Sequence, residues 1–204
     1  MVMKLTIIVP VYNQEDLILK ALESIPKRED IEVIVIDDGS TDKTLAKVMK
    51  FQKHNPINII HLEENKGLGN AKNVGYNNAT GEYINQLDSD DYLYTEEYEK
   101  VIDELDGTDI VYMDLQRNDG SVLNFNEESS KEMGSGCARF IRREFLGDLR
   151  CQDVRWAEDW FLSHELKEKG ATEKYTGIVG YHYNYPRKGS LCDQAINGMY
   201  EIPR

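Results

Sequence analysis

Unbroken apolar runs alternate with amphipathic stretches through the first half of the chain. Leu5-Thr6-Ile7-Ile8-Val9-Pro10-Val11 is β-branched and shows no alternation, the pattern of a strand buried on both faces. Ile31 to Ile36, Ile57 to Leu62, Glu82 to Leu87 and Asp109 to Met113 read as further strands. Between the first two, Leu17, Ile18, Ala21, Leu22 and Ile25 share one face of a helix that Asn13 can cap and Pro26 closes. A second helix opens at Thr41 or Asp42 and runs to Phe51, with Leu45, Val48 and Met49 inward. A third covers Asn70 to Ala79 and a fourth Glu96 to Leu105.

Strands alternating with helices predict an α/β domain with a mostly parallel sheet, helices on both faces and right-handed crossovers. In such sheets ligands bind beyond the carboxyl ends of the strands. The Pro10–Asn13, Asp37–Ser40 and Asp88–Asp91 loops each follow a strand, so they are expected to meet at one edge.

After Met113 the pattern changes. Asp119-Gly120 reads as a hairpin turn and Gly134-Ser135-Gly136 as a hinge or loop. Cys137 to Phe145 and Trp156 to Lys169 read as helical, and Lys174 to Tyr185 as a Tyr-rich strand. Nothing marks a linker. The expectation is a single domain over 1–204, in which the part after about 113 is an extension that covers the sheet edge.

Composition narrows the partners. A net charge of −13 disfavours nucleic acid and anionic membrane surfaces, both of which reward Lys/Arg clusters. No apolar run approaches the roughly 20 residues that span a bilayer. Met1 to Val11 is too short for a signal peptide. The three Cys lack metal-type pairing and read as reduced thiols, and the four His are scattered, which disfavours a zinc site. Together these place the chain in the cytoplasm.

Asp88-Ser89-Asp90-Asp91 carries the sharpest chemistry. Three carboxylates in four residues repel one another, and a divalent ion carrying a diphosphate is the cation that suits them. An EF-hand loop starting at Asp88 fails, because Tyr92 and Leu93 stand where it needs Asp or Asn and then Gly. Asp37-Asp38-Gly39-Ser40 can be a plain turn before a helix, yet a turn needs only one Asp, and a second carboxylate can accept a nucleobase N–H. Gly67-Leu68-Gly69-Asn70-Ala71-Lys72-Asn73 resembles a phosphate cradle without a full dinucleotide or Walker spacing, and Lys72 is either a phosphate ligand or a surface Lys. Glu158-Asp159 is either a pair of helix-start acids or a general base.

In this combination and order the motifs resemble the family 2 glycosyltransferases, inverting enzymes of GT-A fold. The resemblance runs from about 5 to 191. It rests on Ile8 to Asn13, on Val35 to Asp42, and on Asn65 to Asn73 with Lys72 where Arg is usual. Leu87 to Asp91 matches the DXD element, Arg139 to Leu146 and Ala157-Glu158-Asp159 match the segment before the base and the ED motif, and Tyr181 to Leu191 the Y-x-Y…G-S-L ending.

That resemblance implies a nucleotide-sugar donor, usually a UDP-sugar, with Mn²⁺ or Mg²⁺ on its diphosphate. Pro10, Tyr12, Asn13, Glu15, Asp37 and Asp38 would hold base and ribose. Gly67 and Ser89 would line the donor site, and Lys72 would approach a phosphate or the base. Asp90 would bind the metal, and Asp88 the ribose or the metal. Asp159 would deprotonate the acceptor hydroxyl, with Glu158 as the alternative, and His182 would be a further metal ligand as in some GT-A enzymes. The acceptor would be a glycan or lipid-linked glycan in surface polysaccharide synthesis, reached in the cytoplasm or at the inner membrane face. Gln152-Asp153-Val154-Arg155-Trp156 matches QxxRW, but it precedes Asp159 instead of following it by tens of residues, so a non-processive enzyme is expected. Sugar-1-phosphate nucleotidyltransferases need a Gly-rich loop where Pro10 to Gln14 stands. A catalytically idle sugar-nucleotide or glycan-binding module is the other reading, and intact Asp88, Asp90 and Asp159 argue against it.

Overall fold

A computed structural model describes residues 3–129, 136–154 and 157–188. The first half is the predicted alternation. β1 (Leu5–Val11), β2 (Ile31–Asp37), β3 (Asn58–His61) and β4 (Tyr83–Gln86) lie in the order β3-β2-β1-β4, all parallel. Every residue of β1 is buried, as its unbroken apolar run requires. Because the strands are parallel, Val11, Asp37 and Gln86 all end at the same edge, and the three acidic or polar loops do meet there.

The helices between them are α1 (Ile18–Glu23), α2 (Thr44–Gln52) and α3 (Leu68–Asn78). α3 packs on β1 and β2 through Gly75, where a Cβ would stand 2.8 Å from Ile8 Cγ2, so a larger residue would push helix from sheet. Two details differ from expectation. Asn13 does not cap α1. It sits in the left-handed region (φ 50), and its Oδ1 accepts from the Thr41 N–H at 2.8 Å and the Asp42 N–H at 3.3 Å, fastening the first loop to the second. Met49 points outward at 53 % exposure, because the buried face of α2 is set by Thr44 and Val48, one turn apart, and Met49 lies about 100° round the helix from Val48.

The second half departs more. β5 (Tyr92–Leu93) and α4 (Thr95–Asp103) precede β6 (Ile110–Arg117), β7 (Val122–Leu123), β8 (Arg139–Arg142), α5 (Arg143–Leu146), α6 (Glu158–Glu168) and β9 (Glu173–Tyr183). The sheet continues β4-β8-β6-β9-β5, with β7 forming the expected hairpin on β6. β8 is antiparallel to both β4 and β6, while β9 runs parallel to β6. The expected helix over Cys137 to Phe145 is therefore wrong. It is a 3₁₀ turn (Gly136–Ala138), the strand β8 and a short helix. Arg139, Phe140 and Ile141 are all buried because strands flank them on both sides, a context that overrides local propensity.

Candidate active site

The acidic edge divides into three groups. At the end of β2, Asp37 is fully buried. Its Oδ2 lies 2.7 Å from His61 Nδ1 and accepts from the Ser40 N–H at 3.3 Å, while Oδ1 has no partner among the described residues. Asp38 is differently engaged. Its oxygens accept from the backbone N–H groups of Lys66 and Gly67, each at 2.9 Å, so its carboxylate ties the second loop to the loop before α3. Burial pushes the Asp38 carboxyl up, against the pull of those two N–H groups. Gly39, which follows Asp38, has φ +71, and a Cβ there would sit 2.7 Å from the Glu64 carbonyl carbon, so only glycine fits. Tyr12 is 44 % exposed at the mouth of this group, Pro10 is buried in β1 opposite Ile36, and the Glu15 N–H donates to Asp42 at 3.1 Å.

At the end of β4, the four residues Asp88 to Asp91 separate by role. Asp91 is buried and structural: it accepts from the Tyr181 hydroxyl and from the Asn184 N–H, both at 2.7 Å. Tyr181 in turn accepts the Asp88 N–H at 3.1 Å, so β9 anchors the loop twice. Ser89 is buried. Asp88 is half-buried, and its carboxyl is pushed up to about 7 by burial and by Asp90, Asp159 and Glu158, with Lys72 opposing. Asp90 is partly exposed and pairs with Arg187, whose Nη2 lies 2.6 Å from Oδ2. These carboxylates fit a hard divalent cation in donor type. Among the described residues no group of three or more such side chains stands ready to hold a metal. Mg²⁺-type sites are commonly completed by substrate phosphate, with one or two carboxylates from the protein.

The third group sits at the start of α6. Lys72, on α3 and 1 % exposed, reaches Glu158 Oε1 at 2.6 Å and Asp159 Oδ1 at 2.8 Å. The Gln86 carboxamide, in the orientation that satisfies its neighbours, accepts from Lys72 Nζ at 3.1 Å and from the Cys137 N–H at 3.3 Å. The Gly136 N–H donates to Asp159 Oδ2 at 3.2 Å. A Cβ at Gly136 would stand 2.7 Å from Asp159 Oδ1, so this approach requires glycine. Arg139, fully buried, donates to the Asp159 backbone oxygen at 3.3 Å and to the Ser163 hydroxyl. Burial pushes the Asp159 carboxyl up, but Lys72 and Arg139 more than offset it, so it lies below the usual carboxylate range. Burial likewise pulls the Lys72 ammonium down, and Asp159, Glu158 and Asp88 overcome it, so its pKa lies well above that of a free lysine. A buried cation among three acids is thus charged, and so is the carboxylate it holds.

The structure therefore brings Lys72, Asp88, Glu158 and Asp159 together and keeps His182 apart from them. Both His182 ring nitrogens are taken, by Tyr94 Oη at 3.0 Å and by Asn118 Oδ1 at 2.9 Å, and the ring stacks on Tyr92. Arg155 and Trp156 of the QxxRW match lie outside the described residues, as do residues 189–191 of the G-S-L ending. Sequence reasoning missed His61, Gln86, Gly136, Arg139 and Arg187. Each is a single residue with no local pattern, although an arginine inside the apolar run Cys137 to Ile141 is a signal in itself.

Comparison with known proteins decides the family. The profile of Glycosyl transferase family 2 matches residues 6–160. The chain belongs to Glycosyl transferase family 2. Glycosyltransferase GlyG of Streptococcus pneumoniae is 34% identical over 163 residues, covering 76% of this chain and 51% of GlyG. The poly(ribitol-phosphate) β-N-acetylglucosaminyltransferase TarS of Staphylococcus aureus is 40% identical over 99 residues, 46% of this chain. The crystal structure of S. aureus TarS 1-349 with UDP-GlcNAc superposes with a TM-score of 0.80 at 27% identity over 92% of this chain. A mannosyltransferase from Pyrobaculum calidifontis, solved with GDP-Man and Mn²⁺, shares the fold at 22% identity and a TM-score of 0.74. The family 2 chain has the GT-A fold of these neighbours. It spans only 17% of TarS and 15% of the S. pneumoniae glycosyltransferase GlyA. Among its described residues no helix is long and apolar enough to cross a membrane.

Proposed function

We propose that this chain transfers a sugar from a nucleotide sugar, a UDP-sugar by analogy with the UDP-GlcNAc complex of TarS, to an acceptor hydroxyl with inversion. The observation that carries this reading is Asp159, held ionised by Lys72 beside Asp88 at the edge where the nucleotide loops meet. Residues up to about 113 form the donor side and those from 114 the acceptor side. The likeness to TarS, a poly(ribitol-phosphate) β-N-acetylglucosaminyltransferase, supports a surface glycan or lipid-linked glycan acceptor, met in the cytoplasm or at the inner membrane face, one sugar per encounter.

Asp37 is the nucleoside ligand of the second loop, because Asp38 is spent on the backbone of Lys66 and Gly67. Tyr12, Asn13, Pro10, Glu15, Gly67 and Ser89 complete the donor site in this reading. Asp90 and Asp88 would hold Mn²⁺ or Mg²⁺. When bound, such an ion supplies charge neutralisation on the departing diphosphate. Asp159 accepts the proton of the acceptor hydroxyl as the new bond forms, a contribution of about 10²–10⁴-fold. Its low pKa keeps it in the accepting form at neutral pH and makes it a weak base, which suits a proton lost late. Lys72 orients both acids and does not face solvent, so its work is to position the base. Glu158 is the second anchor of Lys72.

The test is direct. Incubation with UDP-sugars and Mn²⁺ should release UDP, by transfer or by slow donor hydrolysis, and UDP binding should weaken sharply in EDTA. No release and no binding with UDP-, GDP- or dTDP-sugars would remove the proposal.

A further inference from the structure

The segment after β9 is fixed onto the acidic loop at several points. The Asn184 N–H donates to Asp91 Oδ1 at 2.7 Å, and Asn184 Nδ2 donates to the Asp90 backbone oxygen at 3.1 Å. Asn118 on the β6–β7 turn donates from Nδ2 to Asn184 Oδ1 at 3.0 Å and from its N–H to the Tyr185 oxygen at 3.3 Å. This frame delivers Arg187 to Asp90: Nε at 2.8 Å and Nη2 at 2.6 Å, both on the single oxygen Oδ2. Most surface ion pairs are loosely held. This one is set by its surroundings.

A divalent ion on the same Oδ2 would lie about 2.0–2.2 Å from it. It would then stand within about 5 Å of the guanidinium, two like charges at close range. Oδ2 of Asp90 can serve one cation or the other. The fork of a guanidinium also matches two phosphate oxygens, so a nucleoside diphosphate is the partner that would draw Arg187 away.

We propose that Arg187 occupies the metal position of Asp90 in the free chain and that a nucleoside diphosphate releases it. The proposal rests on the metal reading of Asp90 given above. It makes metal and nucleotide binding cooperative and reciprocal: each strengthens the other because both are served by moving one arginine. The free chain keeps Asp90 paired with a cation without a metal.

The experiment is a Mn²⁺ titration of the whole chain followed by electron paramagnetic resonance of free Mn²⁺, with and without saturating UDP, for wild type and Arg187→Met. Arg187 is partly exposed and the variant keeps the stem, and an unfolding curve is the check that it folds. Wild type should bind Mn²⁺ weakly alone and at least roughly tenfold more tightly with UDP, within the usual range of coupling. Arg187→Met should bind Mn²⁺ alone roughly tenfold more tightly than wild type, bind UDP less well, and show a smaller gain from UDP. Unchanged or weaker Mn²⁺ binding by Arg187→Met, with wild type binding Mn²⁺ in the presence of UDP, overturns this proposal alone. No Mn²⁺ binding by either protein even with UDP overturns the metal reading of Asp90 and this proposal with it.

Discussion

Two acidic loops stand side by side, at the ends of β2 and β4, and they share a plan. Each has one carboxylate spent on architecture. Asp38 holds the backbone before α3, and Asp91 holds Tyr181 and Asn184 of the last strand and its exit. Each leaves a neighbouring carboxylate less completely satisfied by the protein. The partners of those neighbours differ. Asp37 is buried beside a histidine and keeps one oxygen without a partner, an arrangement that suits a hydrogen bond from a neutral ligand. Asp90 is more open and already carries a cation from Arg187, an arrangement that suits charge. Acid count alone does not distinguish a base-binding loop from a metal-binding one. The partners that the fold supplies do.

The largest expected effect falls on the open member of the second loop. Asp90→Asn should lower transfer by roughly 10³-fold, since removal of electrostatic stabilisation at a leaving group costs several kcal/mol. Its thermal unfolding should barely change, because among the described residues its side chain pairs with a partly exposed arginine. A large loss of stability with activity retained would reverse the assignment of Asp90 and Asp91.

The structural members should behave the opposite way. Asp91→Ala and Asp38→Ala each strand two hydrogen-bond donors, at about 1–3 kcal/mol per buried group. Each should lower the melting temperature by about 4–24 °C, from the usual slope for a chain of this size. The Asn variants keep one acceptor oxygen and should lose less. Equal melting temperatures for Asp90→Asn and Asp91→Ala would erase the distinction.

A smaller effect follows from Asp88. Its folded pKa of about 7 lies above the roughly 3.9 of a free aspartic acid, so the folded state binds the extra proton between those values. Stability from this group is therefore fully present only below that window and falls as pH rises through about 7. Without metal, the melting temperature should be lower at pH 8 than at pH 6. Asp91 adds to the same trend, so Asp88→Asn should flatten the slope and not abolish it. An identical slope in Asp88→Asn would show that Asp88 ionises freely.

The same contrast explains what the residues reveal by themselves. β1, β2 and the loops Asp37–Ser40 and Asp88–Asp91 are local patterns: β-branched runs ending in clustered acids. They are legible because burial on both faces needs no knowledge of which strand lies alongside. β8 is not legible in this way. Ala138-Arg139-Phe140-Ile141-Arg142 becomes a strand only because β4 and β6 leave a gap that it fills. Site chemistry follows the same rule. Asp159 and Lys72 stand out in the sequence, but the bond between them joins residues 72 and 159 and is visible only in the fold. Gly136 looked like a hinge, whereas its N–H lies on the Asp159 carboxylate in a space that no side chain could enter.

The central claim is that Asp159 is the base, held ionised and in place by Lys72, Gly136 and Arg139. The direct measurement pairs UDP-sugar binding with transfer in Asp159→Asn at neutral pH. The account predicts that donor affinity stays within about threefold of wild type while transfer falls by roughly 10²–10⁴-fold, the usual contribution of a general base. Transfer at the wild-type rate, or parallel loss of binding and transfer, would contradict it.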